Sequence, residues 1–221
     1  VTSLSLPPYN YFIINFFTFS FFLIFLTKKL KQQKNKNLFF IYGWVFGFGY
    51  FLSSLYWISI SLTFDQNFKF LIPLTIVLIP SFLAIFYGLV SYFFSLFKPK
   101  NNLSSIFLFS LIFGVLEFIR GSIFTGFPWN LIAFSFSNQP EILGINSIIG
   151  TYGFNLFCIS LFTSPALFIL KDRNKDIGVC VFFLISIAAL YFYGSNYKEK
   201  FNNSAKKNYD YKIRVVGSNI S

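Results

Sequence analysis

Two ionisable side chains, Glu117 and Arg120, stand at the end of an otherwise apolar stretch. Their i, i+3 spacing puts them on one face of a helix, where carboxylate and guanidinium partly neutralise each other. Ionisable groups in such a setting face a bundle interior or a watery cavity and carry function, or they end the helix as an interfacial pair at the headgroups. The apolar run is short enough to bring Arg120 to the surface, so the sequence leaves both readings open. Directly after them comes Gly121-Ser122-Ile123-Phe124-Thr125-Gly126-Phe127-Pro128-Trp129-Asn130. Its glycines and Pro128 break the helix, and Phe127 and Trp129 favour the headgroup level of a bilayer. One reading of this loop is a plain aromatic belt. The other is a lipid-facing mouth in which aromatic rings grip an acyl chain and Asn130 or Arg120 meets a polar head. Tyr56 and Trp57, at the end of another apolar run, belong to the same belt.

Other chemistries find little support. The chain contains no His, which excludes every Ser-His-Asp or Cys-His triad and every His-ligated metal site within these residues. Its two cysteines, Cys158 and Cys180, fall in apolar runs with no charged neighbour to favour a thiolate, so they read as inert filler. Two cysteines also make neither a Cys-rich zinc site nor a disulfide scaffold, and no metal ligand set or cofactor is expected. No Gly-rich phosphate loop stands beside a Lys-Ser/Thr pair, and Asp65 and Glu141 offer no paired-carboxylate geometry.

The elements that position the candidate residues follow from composition. Of 221 residues 55% are hydrophobic and only 11% charged, less than half the charge of an ordinary soluble domain. Six apolar runs almost free of charge are long enough to span a bilayer: residues 9–26, 38–60, 71–97, 103–119, 152–170 and 177–193. Pro80 predicts a kink in the third run. Gly43 and Gly47 have the spacing that lets two helices approach closely. Residues 131–150 are apolar but broken, and read as interfacial or re-entrant. The expected fold class is an all-α integral membrane protein, a polytopic helical bundle spanning residues 1–193.

Charge then sets the orientation. Lys28, Lys29, Lys31, Lys34 and Lys36 separate the first two runs, Lys98 and Lys100 the third and fourth, and Lys171, Arg173 and Lys175 the last two. The alternate loops hold Lys69 and Arg120, so ten basic residues face two. That pattern places the Lys-rich loops in the cytoplasm and the chain's C-terminal end outside. The first run has lysines after it and none before, the reverse of a secretory signal peptide. The net charge of +11 is spread over loops and a tail, which points to orientation and anionic lipid rather than nucleic acid. The chain opens on Val1 without an initiator Met, as in a partial chain or one with an unusual start codon.

After residue 193 the composition changes. Residues 194–210 are polar and rich in Asn, Ser and Lys, and read as an extracytoplasmic linker. Tyr211-Lys212-Ile213-Arg214-Val215-Val216 then alternates with period two before Gly217-Ser218-Asn219, a strand signal followed by a turn signal. A lone strand is not stable in water, so this is either a disordered tail or the first strand of a further domain.

Taken together, several stretches resemble the membrane half of apolipoprotein N-acyltransferase. They are Leu6-Pro7-Pro8-Tyr9, the run Gly43-Trp44-Val45-Phe46-Gly47-Phe48-Gly49-Tyr50-Phe51 continuing to Tyr56-Trp57, Glu117-Phe118-Ile119-Arg120-Gly121 with Thr125-Gly126-Phe127-Pro128-Trp129, Tyr152-Gly153-Phe154-Asn155, and Ile213-Arg214-Val215-Val216-Gly217-Ser218-Asn219-Ile220. The Glu-Phe-x-Arg-Gly run with Gly-Phe-Pro-Trp is the most specific of them.

The resemblance implies an eight-helix bundle carrying an extracytoplasmic nitrilase-like α/β domain, of which residues 211–221 would be the first strand. It implies a multi-pass protein of the bacterial inner membrane that takes an acyl chain from a phospholipid and transfers it to the α-amino group of the N-terminal diacylglyceryl-cysteine of an apolipoprotein. The implied catalytic Glu, Lys and Cys lie beyond Ser221, so the resemblance makes this chain inactive alone and places no catalytic residue on it. Trp57, Glu117, Arg120, Phe127, Pro128 and Trp129 are then the candidates for shaping a lipid-binding mouth. The alternative is a non-enzymatic lipid-handling or transport bundle, although no internal repeat of the kind transporters show is visible.

Overall fold

The computed structural model describes residues 1–123, 126, 128–170 and 175–204. Within hydrocarbon a chain must satisfy its backbone polar groups inside each segment, so apolar runs of this length fold as helices. Six stretches are long and apolar enough to cross a membrane: Ile13–Gln32, Asn37–Thr63, Gln66–Phe97, Asn102–Ser122, Asn146–Leu170 and Gly178–Asn202. They match the six apolar runs of the sequence, and the fold is an all-α polytopic bundle with no strand among the described residues. The strand expected at 211–216 lies outside the described residues.

The α-helices are α1 (Ile13–Gln32), α2 (Asn37–Leu55), α3 (Ile72–Phe97), α4 (Asn102–Ser122), α5 (Pro140–Leu143), α6 (Asn146–Thr163), α7 (Ala166–Leu170) and α8 (Lys175–Asn202). Tighter 3-10 turns occupy Thr2–Ser5, Tyr56–Thr63, Gln66–Leu71 and Ile132–Phe136. Local signals set the boundaries. Lys29 and Lys31 lie in the last turn of α1, where cations favour the carbonyl end of a helix. Lys98 ends α3 with a left-handed φ of 44°, and Pro99 follows it. Asn101 then caps α4 by accepting a 2.7 Å bond from the Ser104 amide. α3 continues through Pro80 as one helix.

Helices α2 and α3 pack along each other through small residues. A Cβ added at Gly47 would lie 2.7 Å from Tyr87 Cβ, and one at Gly43 would lie 2.9 Å from Ser91 Cβ. The glycines therefore serve close helix approach, as their spacing suggested. The centre of the bundle is aromatic: Phe19, Phe46, Tyr87, Phe109 and Phe113 meet through ring contacts of 4.7–6.1 Å.

Two stretches differ from a simple reading of polarity. Residues 131–150 are broken as expected, but they dip into the bundle: Leu131, Ile132, Ala133 and Phe136 are buried. Gly150, at φ 71°, interrupts the start of α6 in a conformation that other residues adopt at a cost. The second difference concerns residues 194–202, read as the start of a linker, which continue α8 as far as Asn202. Gly194 does not end the helix because it sits against the Glu141 backbone, and Lys198 Nζ donates to Glu141 Oε1 at 2.7 Å one turn later. Packing against α5 thus holds a polar stretch helical.

One end of the bundle gathers the N-terminal segment, the α2–α3 connection, the α4–α6 connection and the last turns of α8. Ser53 Oγ donates to Ser3 Oγ at 2.8 Å, Ser137 Oγ to Asn10 Oδ1 at 2.8 Å, and Asn130 Nδ2 to Ser54 Oγ at 2.6 Å. The α1–α2 and α3–α4 connections, with their lysines, lie at the opposite end.

Candidate functional site

Glu117 and Arg120 occupy the inner face of the last turns of α4 and are 1% and 2% exposed. Both therefore face the bundle interior. Arg120 Nη2 is ion-paired with Glu117 Oε2 and also donates to the backbone carbonyl of Trp129 at 3.1 Å. The Phe51 ring lies 5.3 Å from the guanidinium carbon and covers the pair from α2. Charges buried this deeply persist only when paired, and each of these has the other as its partner. α4 runs through Gly121 and ends at Ser122, so the break comes after that glycine; Gly126 takes the positive φ of 81°.

From the pair the structure passes to the backbone of the following loop. Asn130 sits at φ 58°, a left-handed conformation that Asn tolerates. Its carbonyl accepts a 2.8 Å bond from Tyr50 Oη, and its side-chain amide donates to Ser54 Oγ. Three anchors, Arg120, Tyr50 and Ser54, thus fix residues 129 and 130 to α4 and α2. Held this way, the Trp129 ring stacks on Trp57 with centroids 5.1 Å apart and planes 15° from parallel.

Two hollows adjoin the stacked pair. A cavity of about 540 Å³ is bounded by Pro8, Tyr9, Tyr56 and Asn130 as well as the two indoles. A second, of about 490 Å³, is bounded by Ile58, Ile60 and Phe64 together with the same indoles. The larger cavity has serine hydroxyls from Ser53, Ser54 and Ser137 in its wall and no charged side chain among the described residues. Such a lining suits an apolar ligand with a neutral hydrogen-bonding portion. Trp57 and Trp129 remain 43% and 46% exposed, so their rings are presented to whatever surrounds the bundle.

Of the residues singled out from sequence, Trp57 and Trp129 come together at the cavity, and Pro128 is exposed beside them. Glu117 and Arg120 reach the cavity through the Trp129 backbone instead of lining it. Phe127 lies outside the described residues. Cys158 and Cys180 are buried, and Cys180 Sγ donates to the Ser164 carbonyl at 3.1 Å. Tyr50 and Ser54 were not picked out individually as site residues. Their signal was weak: a Tyr at the end of a glycine-aromatic run and a serine pair one turn later, both common in packed helices.

Comparison with known proteins gives a consistent family. Residues 1–164 match the model of the apolipoprotein N-acyltransferase N-terminal domain. The chain is 32% identical over 201 residues to the apolipoprotein N-acyltransferase of Rhizobium rhizogenes, covering 87% of this chain and 37% of that protein. It is 34% identical over 194 residues to that of Rhizobium etli, covering 85% and 36%. With the Rickettsia bellii protein of the same name it shares 33% over 204 residues, covering 92% and 39%. The chain thus spans somewhat over a third of the length of these curated relatives.

Proposed function

Because the chain belongs to the apolipoprotein N-acyltransferase family, we propose that it forms the membrane part of an enzyme that moves an acyl chain from a phospholipid to the α-amino group of the N-terminal diacylglyceryl-cysteine of an apolipoprotein. In this reading the bundle binds and orients lipid, and the bond-making groups are the Glu, Lys and Cys that the family resemblance implies in the nitrilase-like domain. The Cys thiolate, activated by the Glu as general base, attacks the phospholipid ester, giving a thioester and a lysophospholipid. The incoming amine then attacks the thioester, forming the amide and returning the thiol, with the Lys and backbone donors stabilising each oxyanion.

Both substrates are anchored in the bilayer, so a membrane domain that presents them in the plane replaces a three-dimensional search with an oriented encounter. The single observation that carries this reading is the Trp57–Trp129 stack beside an uncharged cavity, tied from within the bundle by Arg120. The indoles would grip an acyl chain, and the serine hydroxyls and Asn130 would meet the neutral ester region. The excess of lysine at the opposite end of the bundle supports an orientation with the cavity outside the cytoplasm, in a bacterial inner membrane. The residues that follow 204, with the alternating stretch at 211–216, would begin the soluble domain on that outer side.

The test is acyl transfer by the full-length protein carrying Trp129→Ala, read against its abundance in the membrane. Activity should fall several-fold more than abundance. Equal loss of both would make Trp129 a structural anchor, and unchanged activity would remove it from the site.

A further inference from the structure

The loop after α4 is held at two consecutive carbonyls, that of Trp129 by Arg120 Nη2 and that of Asn130 by Tyr50 Oη. One side chain stands behind both holds. Tyr87 of α3 is buried and donates a side-chain hydrogen bond to the carboxylate of Glu117, which is ion-paired with Arg120. Its ring is stacked on that of Tyr50, with centroids 5.8 Å apart and planes 23° from parallel. It also meets the Phe51 ring edge-on at 5.1 Å, and Phe51 is the ring that lies against the Arg120 guanidinium. Tyr50, Phe51, Glu117 and Arg120 are buried as well.

The Tyr87 ring has little freedom to turn. On the α2 side, a Cβ added at Gly47 would lie 2.7 Å from Tyr87 Cβ and 2.9 Å from its Cγ, and one at Gly43 would collide with the Tyr87 carbonyl oxygen. The two glycines thus admit this residue between the helices. On the α4 side, Phe113 meets the ring edge-on at 4.7 Å. A side chain clamped in this way directs the more flexible carboxylate that it bonds. Without the Tyr87 hydroxyl, a buried carboxylate oxygen loses a donor and turns to Arg120 for another, drawing the guanidinium off the Trp129 carbonyl.

We propose that Tyr87 is a positioning residue for the Trp57–Trp129 mouth. By fixing Glu117 it sets the direction of Arg120, and by stacking on Tyr50 it keeps the holds on the Trp129 and Asn130 carbonyls in register. It acts through these neighbours, since it is not among the residues that line the cavity. The placement stands on contacts alone; its consequence for catalysis rests on the acyl-transfer reading.

Fluorine NMR of the full-length protein labelled with 5-fluorotryptophan tests it, with the Trp44, Trp57 and Trp129 resonances assigned by single Trp→Phe substitutions. Tyr87→Phe removes one hydroxyl and keeps the ring. It should move the Trp57 and Trp129 resonances by more than their linewidth and leave that of Trp44, whose indole N–H is held by the Ser81 carbonyl, in place. Tyr92→Phe, the same change further along α3, should leave all three in place. A Trp129 resonance that stays put in folded Tyr87→Phe overturns the proposal, as does equal movement in Tyr92→Phe. If Tyr87→Phe does not fold, Gly47→Ala presses on Tyr87 from α2 instead, and an unmoved Trp129 resonance there overturns the proposal. In acyl transfer, Tyr87→Phe should raise KM for the phospholipid several-fold with kcat nearly unchanged. Moved resonances with an unchanged KM would support the positioning role and count against lipid binding at the mouth.

Discussion

Arg120 holds the backbone of Trp129. Its Nη2 donates to the Trp129 carbonyl at 3.1 Å from a side chain that is 2% exposed and paired with Glu117. A charge buried in the bundle therefore fixes the position of a ring that is itself nearly half exposed. The relationship gives an expensive pair at the end of α4 a role: it fixes the backbone that carries the Trp129 ring.

Removing one partner leaves the other charge uncompensated. Arg120→Leu or Glu117→Leu alone should destabilise the protein by about 3–5 kcal/mol. The double substitution Glu117→Leu with Arg120→Leu should be milder than either single one, because no orphaned charge remains. Unfolding of the purified protein in mixed micelles measures this, and a double variant as damaged as the sum of the singles would contradict it.

The anchor on Asn130 is weaker and more local. Tyr50→Phe removes the donor to the Asn130 carbonyl and should cost about 0.5–1.5 kcal/mol. Its larger effect should be on the Trp57–Trp129 stack, read as a change in tryptophan emission and quenching. Of the three tryptophans, Trp44 reports elsewhere, since its indole N–H donates to the Ser81 carbonyl at 3.0 Å. A Trp44→Phe background isolates the signal.

Close approach of α2 and α3 makes two neighbouring glycines behave oppositely. Gly47→Val drives its side chain into Tyr87 and Ala84 and should destabilise by about 1–3 kcal/mol, the usual range for overpacking. Gly49 has open space around the position of a Cβ, so Gly49→Ala should be neutral or mildly stabilising through helix propensity. Thermal stability of the two variants in the same detergent checks the contrast.

Glu141 lies outside the spans, and the hydrogen bond it accepts from Lys198 holds its carboxyl below the ordinary range. A carboxylate with a depressed folded value supports the folded state above its unfolded pKa and loses that support as pH falls through the folded one. The tie between α5 and the end of α8 should therefore loosen on acidification, seen as faster amide exchange in the last turns of α8. Glu141→Gln should flatten that acid response while leaving the rest of the bundle unchanged.

The six spans were legible because apolar length is a one-dimensional signal: a run such as 103–119 needs no partner to be recognised. The Gly43/Gly47 spacing was legible for the same reason. What the sequence could not place was any relationship between distant segments. Trp57 and Trp129 stack because two connections converge at one end of the bundle, and Glu117 and Arg120 are interior because Phe51 of α2 covers them. Polarity misled at residues 194–202, where contact with Glu141 keeps a hydrophilic stretch helical. It also hid the depth of residues 131–136, whose turns are held in place by Asn155 Oδ1 accepting from the Ala133 amide at 3.0 Å.

The central claim is that the cavity end of the bundle faces away from the cytoplasm, towards lipid-anchored substrates. Single cysteines placed at the two ends test it, Gln66→Cys beside the cavity end and Gln32→Cys at the Lys-rich end, both at exposed positions, with Cys158 and Cys180 buried. A membrane-impermeant thiol reagent applied to intact cells with a permeable outer envelope should label Cys at 66 at once and Cys at 32 only after lysis. Labelling of position 32 in intact cells, with position 66 protected until lysis, would contradict the account.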